Sequence, residues 1–341
     1  MKRTELEDLL VDFIEIPSVT GAEHDYSEAL ASALVARGFD VERQEVEPGR
    51  CNLLARAGRP RFVFCTHLDT VPEWFGSRVD GDFIHGRGSC DAKGQAVAML
   101  AAGTELLRQG QDGVAFLFTV GEETVSDGAK LANARLAEPW APEHILVGEP
   151  TSNRFVRGHK GLYQCELHGH GVAGHSSQPI GPSAIHELIH VAERALATDW
   201  GQHPVLGQAT LNLGRFEGGV ASNVVADKAS LSFLLRAVEG PETVRARIEE
   251  LLGEHVTLHP SGNGYGPVEF LVPDGEPSEV VAFGTDAPYL RAWGTPLLFG
   301  AGSILDAHTD HEKIGRRELE QCVARHVATA RALLERSGAR G

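Results

Sequence analysis

The first 150 residues alternate short, uniformly apolar segments with longer amphipathic ones, and this alternation constrains the fold more than any other feature of the chain. The apolar runs read RFVFCT at 61–66, VAFLFTV at 114–120 and HILVG at 144–148. Strands that are apolar on both faces and separated by helices are typical of a mostly parallel sheet flanked by helices. The sequence therefore predicts an α/β domain. Its helices are expected at 4–14, at 23–37 and from residue 92.

The middle of the chain has a different pattern. Its strand-like segments are more polar and alternate between apolar and polar residues, at 160–167, 209–216 and 227–236. Helical patterns lie between them at 183–198 and 242–253. Such alternation favours a smaller α+β unit with one solvated sheet face, and such a face often joins subunits.

The α/β pattern then returns. A glycine-rich stretch at 261–267 precedes an apolar strand at 295–300 and a long helical pattern at 317–336. We predict a catalytic metal-binding domain over 1–156 and 268–341. An inserted lid or dimerisation domain is predicted over 157–267.

Composition narrows the classes of partner and compartment. The chain has 31 Lys and Arg against 47 Asp and Glu, a formal net charge of −16. This charge disfavours binding to the phosphate backbones of nucleic acids and to anionic lipid surfaces. The five cysteines form no CxxC pair, the pattern of a reducing compartment. Acidic residues interrupt the N-terminal segment where a signal peptide needs an apolar stretch, and no segment approaches the ~20 apolar residues of a membrane span. We expect a cytoplasmic protein that binds neither nucleic acid nor membranes.

Metal-capable side chains follow nearly every apolar run. In open α/β sheets the active crevice lies beyond the carboxyl ends of the strands. The residues at these exits and at the tight turn after GRGS are His67, Asp69, Asp91, Glu122, Glu123, Glu149 and, beyond the last strand, His308. Imidazoles and carboxylates without a thiolate suit a borderline divalent ion, Zn²⁺ first, with Co²⁺ and Mn²⁺ as alternatives.

This set is too large for one tetrahedral ion that keeps a position open for water. Two ions that share one bridging carboxylate would use five ligands and leave one acidic group free. Of the adjacent Glu122 and Glu123, one can ligate while its neighbour takes a proton from water. His67 and Asp69 share a face of an extended segment, so the Asp69 carboxylate is expected to hold the second imidazole N–H.

A second metal motif competes with this interpretation. His186, Glu187 and His190 spell HExxH, the zincin arrangement on a helix. The downstream GxxH of metzincins is absent, because position 193 is Glu. The helix also carries an apolar stripe that accounts for its pattern, made of Ile185, Leu188, Ile189, Ala192 and Leu196. No GxSxG elbow or phosphate-binding loop offers another chemistry.

Six ordered motifs give the chain a family resemblance. FCTHLDTVP, HGRGSCDAKG, VGEETVSDGA, VGEPT, GHSSQP and AHTDHEKI occur in this order and span nearly the whole chain. The sequence resembles the dinuclear zinc amidohydrolases and metallopeptidases that include acetylornithine deacetylase, succinyl-diaminopimelate desuccinylase and glutamate carboxypeptidase. Among these it is most similar to acetylornithine deacetylase.

The resemblance implies a role for each motif residue. One metal would be held by His67, Asp91 and Glu149, and the other by Asp91, Glu123 and His308, with Asp91 bridging. Glu122 would be the general base and Asp69 the residue that orients His67. In a homodimer, His175 of GHSSQP would reach the partner's active site and stabilise the oxyanion. Asn223 and Arg236 match positions that bind the substrate's carbonyl or carboxylate.

A further substrate contact is expected after the last strand, where the turn at Gly300–Gly302 could offer backbone N–H groups to a carboxylate. The expected reaction is hydrolysis of the amide bond of an N-acyl amino acid, foremost deacetylation of N-acetylornithine in arginine biosynthesis. The alternatives within this chemistry are N-acetylcitrulline, succinyl-diaminopimelate, carrier-linked lysine or ornithine, and dipeptides. A zincin protease is the alternative of another class.

Overall fold

The computed structural model describes residues 4–262 and 264–338 of the chain. These residues fall into two units. The first comprises Met1–Arg157, Glu269–Glu279 and Thr285–Gly341, and the second comprises Gly158–Val268 and Val280–Gly284.

Seven α-helices are present in the described residues. They are α1 (Glu5–Ile14), α2 (His24–Ala36), α3 (Lys93–Arg108), α4 (Asp127–Ala134), α5 (Ala184–Ala197), α6 (Pro241–Leu251) and α7 (Arg316–Gly338). A short 3₁₀ helix covers Ala287–Tyr289.

The strands are numbered in chain order. The first eight are β1 (Asp40–Glu47), β2 (Arg50–Arg56), β3 (Phe62–His67), β4 (Arg78–Asp80), β5 (Phe83–His85), β6 (Val114–Thr119), β7 (His144–Val147) and β8 (Phe155–His159). The next eight are β9 (Gly161–His170), β10 (Gly174–His175), β11 (Gln202–His203), β12 (Gly207–Gln208), β13 (Thr210–Gly218), β14 (Val224–Val225), β15 (Lys228–Ala237) and β16 (Val256–Pro260). The last four are β17 (Val268–Glu269), β18 (Ser278–Val281), β19 (Thr295–Leu298) and β20 (Lys313–Gly315).

The largest sheet has the order β1-β2-β6-β3-β7-β19-β8-β17, with β18 beside β8. Its four central strands, β6, β3, β7 and β19, run parallel. The flanking pairs β1–β2, β2–β6 and β19–β8 are antiparallel. The predicted α/β fold with a mostly parallel centre and flanking helices is confirmed.

The central strands are apolar throughout because both of their faces are covered. Every residue of β3 and β6 is buried, so the alternate side chains of each strand are buried on both sides of the sheet. Phe62, Phe64 and Phe116 belong to one large cluster with residues from four helices, α1, α2, α3 and α7. Because the strands are buried on both sides, their ends hold the loops that follow them in fixed positions.

One hairpin lies outside the sequence prediction. β1 pairs antiparallel with β2 at the edge of the sheet, and its residues, DVERQEVE, are exposed or half-buried. A polar edge strand lacks the apolar run that reveals a central strand. The sequence pattern around this hairpin therefore does not predict that it joins the parallel core.

The second unit contains a four-stranded antiparallel sheet with the order β13-β15-β9-β16. Buried residues alternate strictly with more exposed ones along β15, which begins with the exposed Lys228 and ends with the buried Ala237. Helices α5 and α6 pack against the sheet, and the buried side of α5 carries Ala184, Leu188, Val191 and Ala195. Two residues of the predicted apolar stripe of this helix, Ile189 and Leu196, are instead 41% and 68% exposed.

Within the described part of the chain, no helix is both long enough and apolar enough to cross a membrane.

A buried histidine makes the first unit sensitive to acid. The ring of His326 lies 5.3 Å from that of Phe64 and 5.6 Å from that of Phe299, measured between centroids. Burial lowers the pKa of His326 from its ordinary 6.5 to about 4. The folded chain therefore keeps the ring neutral at a pH at which the unfolded chain protonates it. Stability from this group is present above pH 6.5 and is lost as the pH falls toward 4, by up to about 1.4 kcal/mol per pH unit.

We predict that His326→Gln removes this component of acid sensitivity, because the amide keeps hydrogen-bonding capacity but does not titrate. The free energy of unfolding is measured by urea denaturation of metal-free protein between pH 4 and 6.5. The wild type should lose more stability than the variant over this interval. Parallel pH curves for the two proteins would contradict the prediction.

Candidate metal centre

Three neighbouring parallel strands deliver acidic and imidazole side chains to one end of the sheet. β3 ends at His67, β6 is followed after two residues by Glu122 and Glu123, and β7 is followed after one residue by Glu149. Because β6, β3 and β7 are adjacent and parallel, their carboxyl ends lie at the same edge. Asp91 lies just before α3 and is 5% exposed.

Asp91 stands between two imidazoles. The distance from His67 Nε2 to Asp91 Oδ1 is 2.9 Å, and that from His308 Nε2 to Asp91 Oδ2 is 3.2 Å. His308 Nε2 also lies 3.0 Å from Glu123 Oε2. Each oxygen of Asp91 thus faces a different histidine, as a bridging carboxylate requires.

These separations fit metal ligation. Two ligand atoms of a tetrahedral ion with bonds of ~2.0–2.1 Å lie ~3.3 Å apart. Ligand atoms from His67, Asp91 and Glu123 all lie within 4.8 Å of one another, and this group joins residues implied for both ions through the shared Asp91. His308 contacts this group, and Glu149 interacts with it electrostatically.

The electrostatics of the centre favour bound cations. Burial, reinforced by Glu122 and Asp91, raises the pKa of Glu149 well above its ordinary value. Burial also raises the pKa of Glu122, with further repulsion from Asp286 and Glu123. Hydrogen bonds to Asp91 and Glu123 raise the pKa of His308 to about 10, because a protonated ring offsets part of this negative charge. A divalent cation would relieve the same repulsion more fully. The chemistry and charge of the donor set therefore fit bound divalent cations.

Asp69 has a different contact with His67 from the one expected. His67 Nδ1 donates to the backbone carbonyl oxygen of Asp69 at 2.8 Å, whereas the carboxylate oxygen Oδ1 lies 3.6 Å away. The main chain of Asp69 therefore orients the imidazole and leaves Nε2 toward Asp91. The expected carboxylate contact is corrected to a carbonyl contact.

The Asp69 carboxylate instead holds the loop that carries both glutamates. Its two oxygens accept the backbone N–H of Glu122 and the backbone N–H of Glu123, each at 3.1 Å, and Oδ2 also accepts the Thr20 hydroxyl at 2.8 Å. Burial alone would raise the pKa of Asp69, but His67, Thr20 and the Glu123 amide lower it. This fully buried carboxylate thus fixes the paired glutamates through their backbone.

A glycine opens the same loop. Gly121 has φ +75°, a conformation that L side chains rarely adopt, and its carbonyl accepts the N–H groups of Val125 and Ser126. A Cβ at Gly121 would also collide with the Asp127 carboxylate. The tight turn directs Glu122 and Glu123 back toward β3.

His308 adopts a left-handed backbone conformation, with φ +63°. A non-glycine residue in this region is strained by about 1–3 kcal/mol and persists where its surroundings demand it. Here the strain brings the imidazole to Asp91 and Glu123 although half of the side chain is exposed.

The predicted residues of the inserted segment lie in the second unit. His175 is on β10, which pairs with β14, and the Asn223 carbonyl accepts the N–H of Ser176 at 3.0 Å. The structure thus brings His175 and Asn223 together. Arg236 is half-buried on β15.

His175 also has a defined tautomer. Its Nδ1 accepts the backbone N–H of Ser177 at 3.2 Å and lies 2.8 Å from the Ser177 hydroxyl oxygen. A backbone N–H can only donate, so in the neutral ring the proton lies on Nε2.

The turn around Gly302 has no backbone donor left for a substrate carboxylate. The N–H groups of its three residues donate to Thr151 Oγ1, Gln95 Oε1 and Glu318 Oε1, at 3.0, 3.1 and 2.8 Å. Gly302 has φ +82°, and a Cβ there would collide with Cys90. The expected contact between Gly302 and a substrate carboxylate is therefore corrected. A glycine is needed at this position for close packing, and its N–H group already donates to Glu318.

The HExxH helix does not form a metal group in the described residues. His186 and His190 are exposed on α5, and His190 Nδ1 lies 3.6 Å from Glu193. The single group of three potential ligands found in the described part of the chain is that of His67, Asp91 and Glu123.

Three residues in the hydrogen-bond network around the centre were not singled out from sequence. Thr20 lies outside every motif, so no sequence signal identifies it. Arg87 and Glu312 lie inside HGRGSCDAKG and AHTDHEKI, and the four-residue spacing from His308 to Glu312 was the available signal.

Comparisons with known proteins match most of the chain. The model of peptidase family M20/M25/M40 matches residues 63–332. A peptidase M20 domain-containing protein of Schizosaccharomyces pombe is 38% identical over 315 residues, covering 88% of this chain and 78% of that protein. A protein named "Probable carboxypeptidase" from Aspergillus terreus is 33% identical over 357 residues, covering 92% and 82%.

A solved structure is similar in fold. The Bacillus subtilis YXEP protein, described as a dinuclear metal-binding peptidase from the M20 family, matches with a TM-score of 0.70 at 16% identity. The match covers 97% of this chain and 98% of that one.

Proposed function

The chain belongs to peptidase family M20/M25/M40, and from this premise we propose that it hydrolyses the amide bond between an acyl group and an amino acid with a free carboxylate. The observation that carries the proposal is Asp91, held between His67 and His308 and adjoined by Glu123. Such an amide is found both in N-acyl amino acids and at the C-terminus of short peptides. The reaction would release a free amino acid in either case.

We assign His67, Asp91 and Glu149 to one metal ion and Asp91, Glu123 and His308 to the other. When bound, divalent cations, Zn²⁺ foremost, would polarise the scissile carbonyl and acidify a water molecule. Glu122 would take the proton from the attacking water and return it to the leaving amine. Asp69 holds the Glu122 backbone, so the position of this base is set by the same carboxylate that sets Glu123.

We propose that His175, Asn223 and Arg236 bind the substrate. The Nε2–H of His175 is a suitable donor to the oxyanion of the tetrahedral intermediate, since Ser177 engages Nδ1. Asn223 would bind the carbonyl, and the planar guanidinium of Arg236 would bind the carboxylate.

N-acetylornithine is the specific substrate that we propose, on the strength of the six motifs. A C-terminal residue of a short peptide is the second candidate, favoured by the relatives named carboxypeptidase. Both share the free carboxylate that the proposed function requires.

We predict that Glu122→Gln keeps both metal ions but lowers kcat about 10²–10⁴-fold, because the amide cannot accept a proton. Metal content is measured by elemental analysis and kcat on N-acetylornithine. The matched control is His190→Ala, in the HExxH helix, which should keep metal content and activity. A metal-replete Glu122→Gln enzyme with wild-type kcat would refute the assignment. Loss of metal in the control would revive the zincin alternative.

The substrate is tested by kcat/KM on N-acetylornithine, N-acetylcitrulline, N-succinyl-diaminopimelate and a dipeptide panel, each beside its C-terminal carboxamide. We expect each carboxamide to react at least ~10²-fold less well than its free acid, because the carboxylate partner is left unpaired. N-acetylornithine is expected to be the best substrate. A dipeptide optimum would favour the carboxypeptidase candidate, and equal rates for acids and carboxamides would overturn the proposal.

We further propose that the enzyme is a homodimer in which His175 acts on the partner's substrate. β13 supports association through the second unit, because it is a mostly exposed strand at the edge of its sheet. A mixing experiment tests this arrangement. His175→Ala and Glu122→Gln proteins, each inactive alone, should recover activity when subunits are exchanged, because one site then has both groups. No recovery in demonstrated heterodimers would contradict it.

A further inference from the structure

A second buried carboxylate, that of Glu312, binds the backbone of a ligand-bearing segment as the Asp69 carboxylate does. Glu312 is 0% exposed and lies four residues after His308, immediately before β20. Strand β20 pairs with β5, and the Glu312 carbonyl accepts the N–H of Gly86. The backbone at Glu312 is therefore fixed beside the turn that carries Asp91.

The Glu312 carboxylate accepts two consecutive backbone donors of that turn. Oε1 receives the N–H of Cys90 at 3.0 Å and the N–H of Asp91 at 3.1 Å. The segment 308–312 thus contacts Asp91 twice. His308 contacts its side chain, and Glu312 contacts its main chain.

Arg87 neutralises Glu312. Its Nη1 donates to Oε2 at 2.7 Å and its Nε donates to the Glu73 carbonyl at 3.1 Å, while the guanidinium lies 5.2 Å from the centroid of Phe75. The pairing lets a second carboxylate lie next to Asp91 without adding net negative charge to the centre. Both of its oxygens are engaged, so the carboxylate has little freedom to rotate.

We propose that Glu312 is a positioning residue of the metal centre: it holds the backbone of Asp91 so that each oxygen of the bridging carboxylate faces its own ion site. The inference rests on the proposed function, in which Asp91 is the shared ligand. The Asp69 carboxylate accepts the backbone N–H groups of Glu122 and Glu123 in the same way as the Glu312 carboxylate accepts that of Asp91. Each of these carboxylates belongs to one ligand-bearing segment and binds the main chain of another.

Two double variants isolate the acceptor from the ion pair. Arg87→Met/Glu312→Gln keeps an oxygen that can accept the Cys90 and Asp91 amides, whereas Arg87→Met/Glu312→Met does not. Both remove the buried charges, a replacement that folded proteins often tolerate. Gln and Met have similar length, so the two variants differ mainly in hydrogen bonding.

The readout is the Zn²⁺ affinity of the metal-free full-length chain, measured by competition with a chromophoric chelator, with circular dichroism to verify folding. We expect the variant with Gln at 312 to bind nearly as tightly as the wild type, and the one with Met about 10–100-fold more weakly. Equal affinities of the two folded double variants would overturn the proposal.

Single substitutions provide the controls. Glu312→Gln alone places its NH₂ donor against either the Arg87 guanidinium or the N–H groups of Cys90 and Asp91, so Zn²⁺ affinity should fall and should recover when Arg87→Met is added. If the variant with Met at 312 does not fold, this recovery decides the question, and its absence refutes the proposal. Glu7→Gln breaks the equally buried Glu7–Arg316 pair of the same unit and should lower Tm without changing Zn²⁺ affinity.

The two proposals fail in distinguishable ways. Zn²⁺ affinity is measured without substrate, so tight binding by a wild type that hydrolyses none of the tested amides would refute only the proposed function. Hydrolysis by the wild type together with unchanged affinity in the variant with Met at 312 would refute only the role of Glu312.

Discussion

Negative charge gathered in a buried crevice is the constraint on which the first unit depends. Asp91 and Glu149 are each 5% exposed, and their charges reinforce those of Glu122 and Glu123. Unpaired carboxylates in such a place repel one another and favour their protonated forms. The scaffold must hold them in place against that repulsion, and the strands β3, β6 and β7 provide the rigidity because they are buried on both faces.

The loops that carry the ligands are stabilised by a repeated contact. A buried carboxylate accepts two consecutive backbone N–H groups from a neighbouring ligand-bearing turn, once at Asp69 and once at Glu312. Hydrogen bonds to an ionised acceptor are stronger than those between neutral groups. This contact therefore ties loops that are far apart in sequence into one frame and leaves the ligand side chains facing inward.

The α/β class and the strand exits were accessible from sequence because each depends on local pattern. An apolar run such as 114–120 predicts a buried strand without reference to the rest of the chain. The side chains that follow a parallel strand then lie near the carboxyl edge of the sheet. The hairpin β1–β2 was not accessible, because a polar edge strand has no such run. The contact of Asp69 was misjudged for a related reason: two-residue spacing places side chains on one face but does not say whether a carbonyl or a carboxylate will bond.

By itself, the sequence determined the alternation of strands and helices and the chemical identity of the donor set, from His67 to His308. Both follow from side-chain type and order, which need no knowledge of distance. Only the tertiary structure decided which oxygen of Asp91 faces which imidazole, that the amides around Gly302 are already bonded, and that Thr20 and Glu312 support the centre. These are contacts between segments separated by up to 222 residues, and they depend on loop geometry that local pattern does not encode.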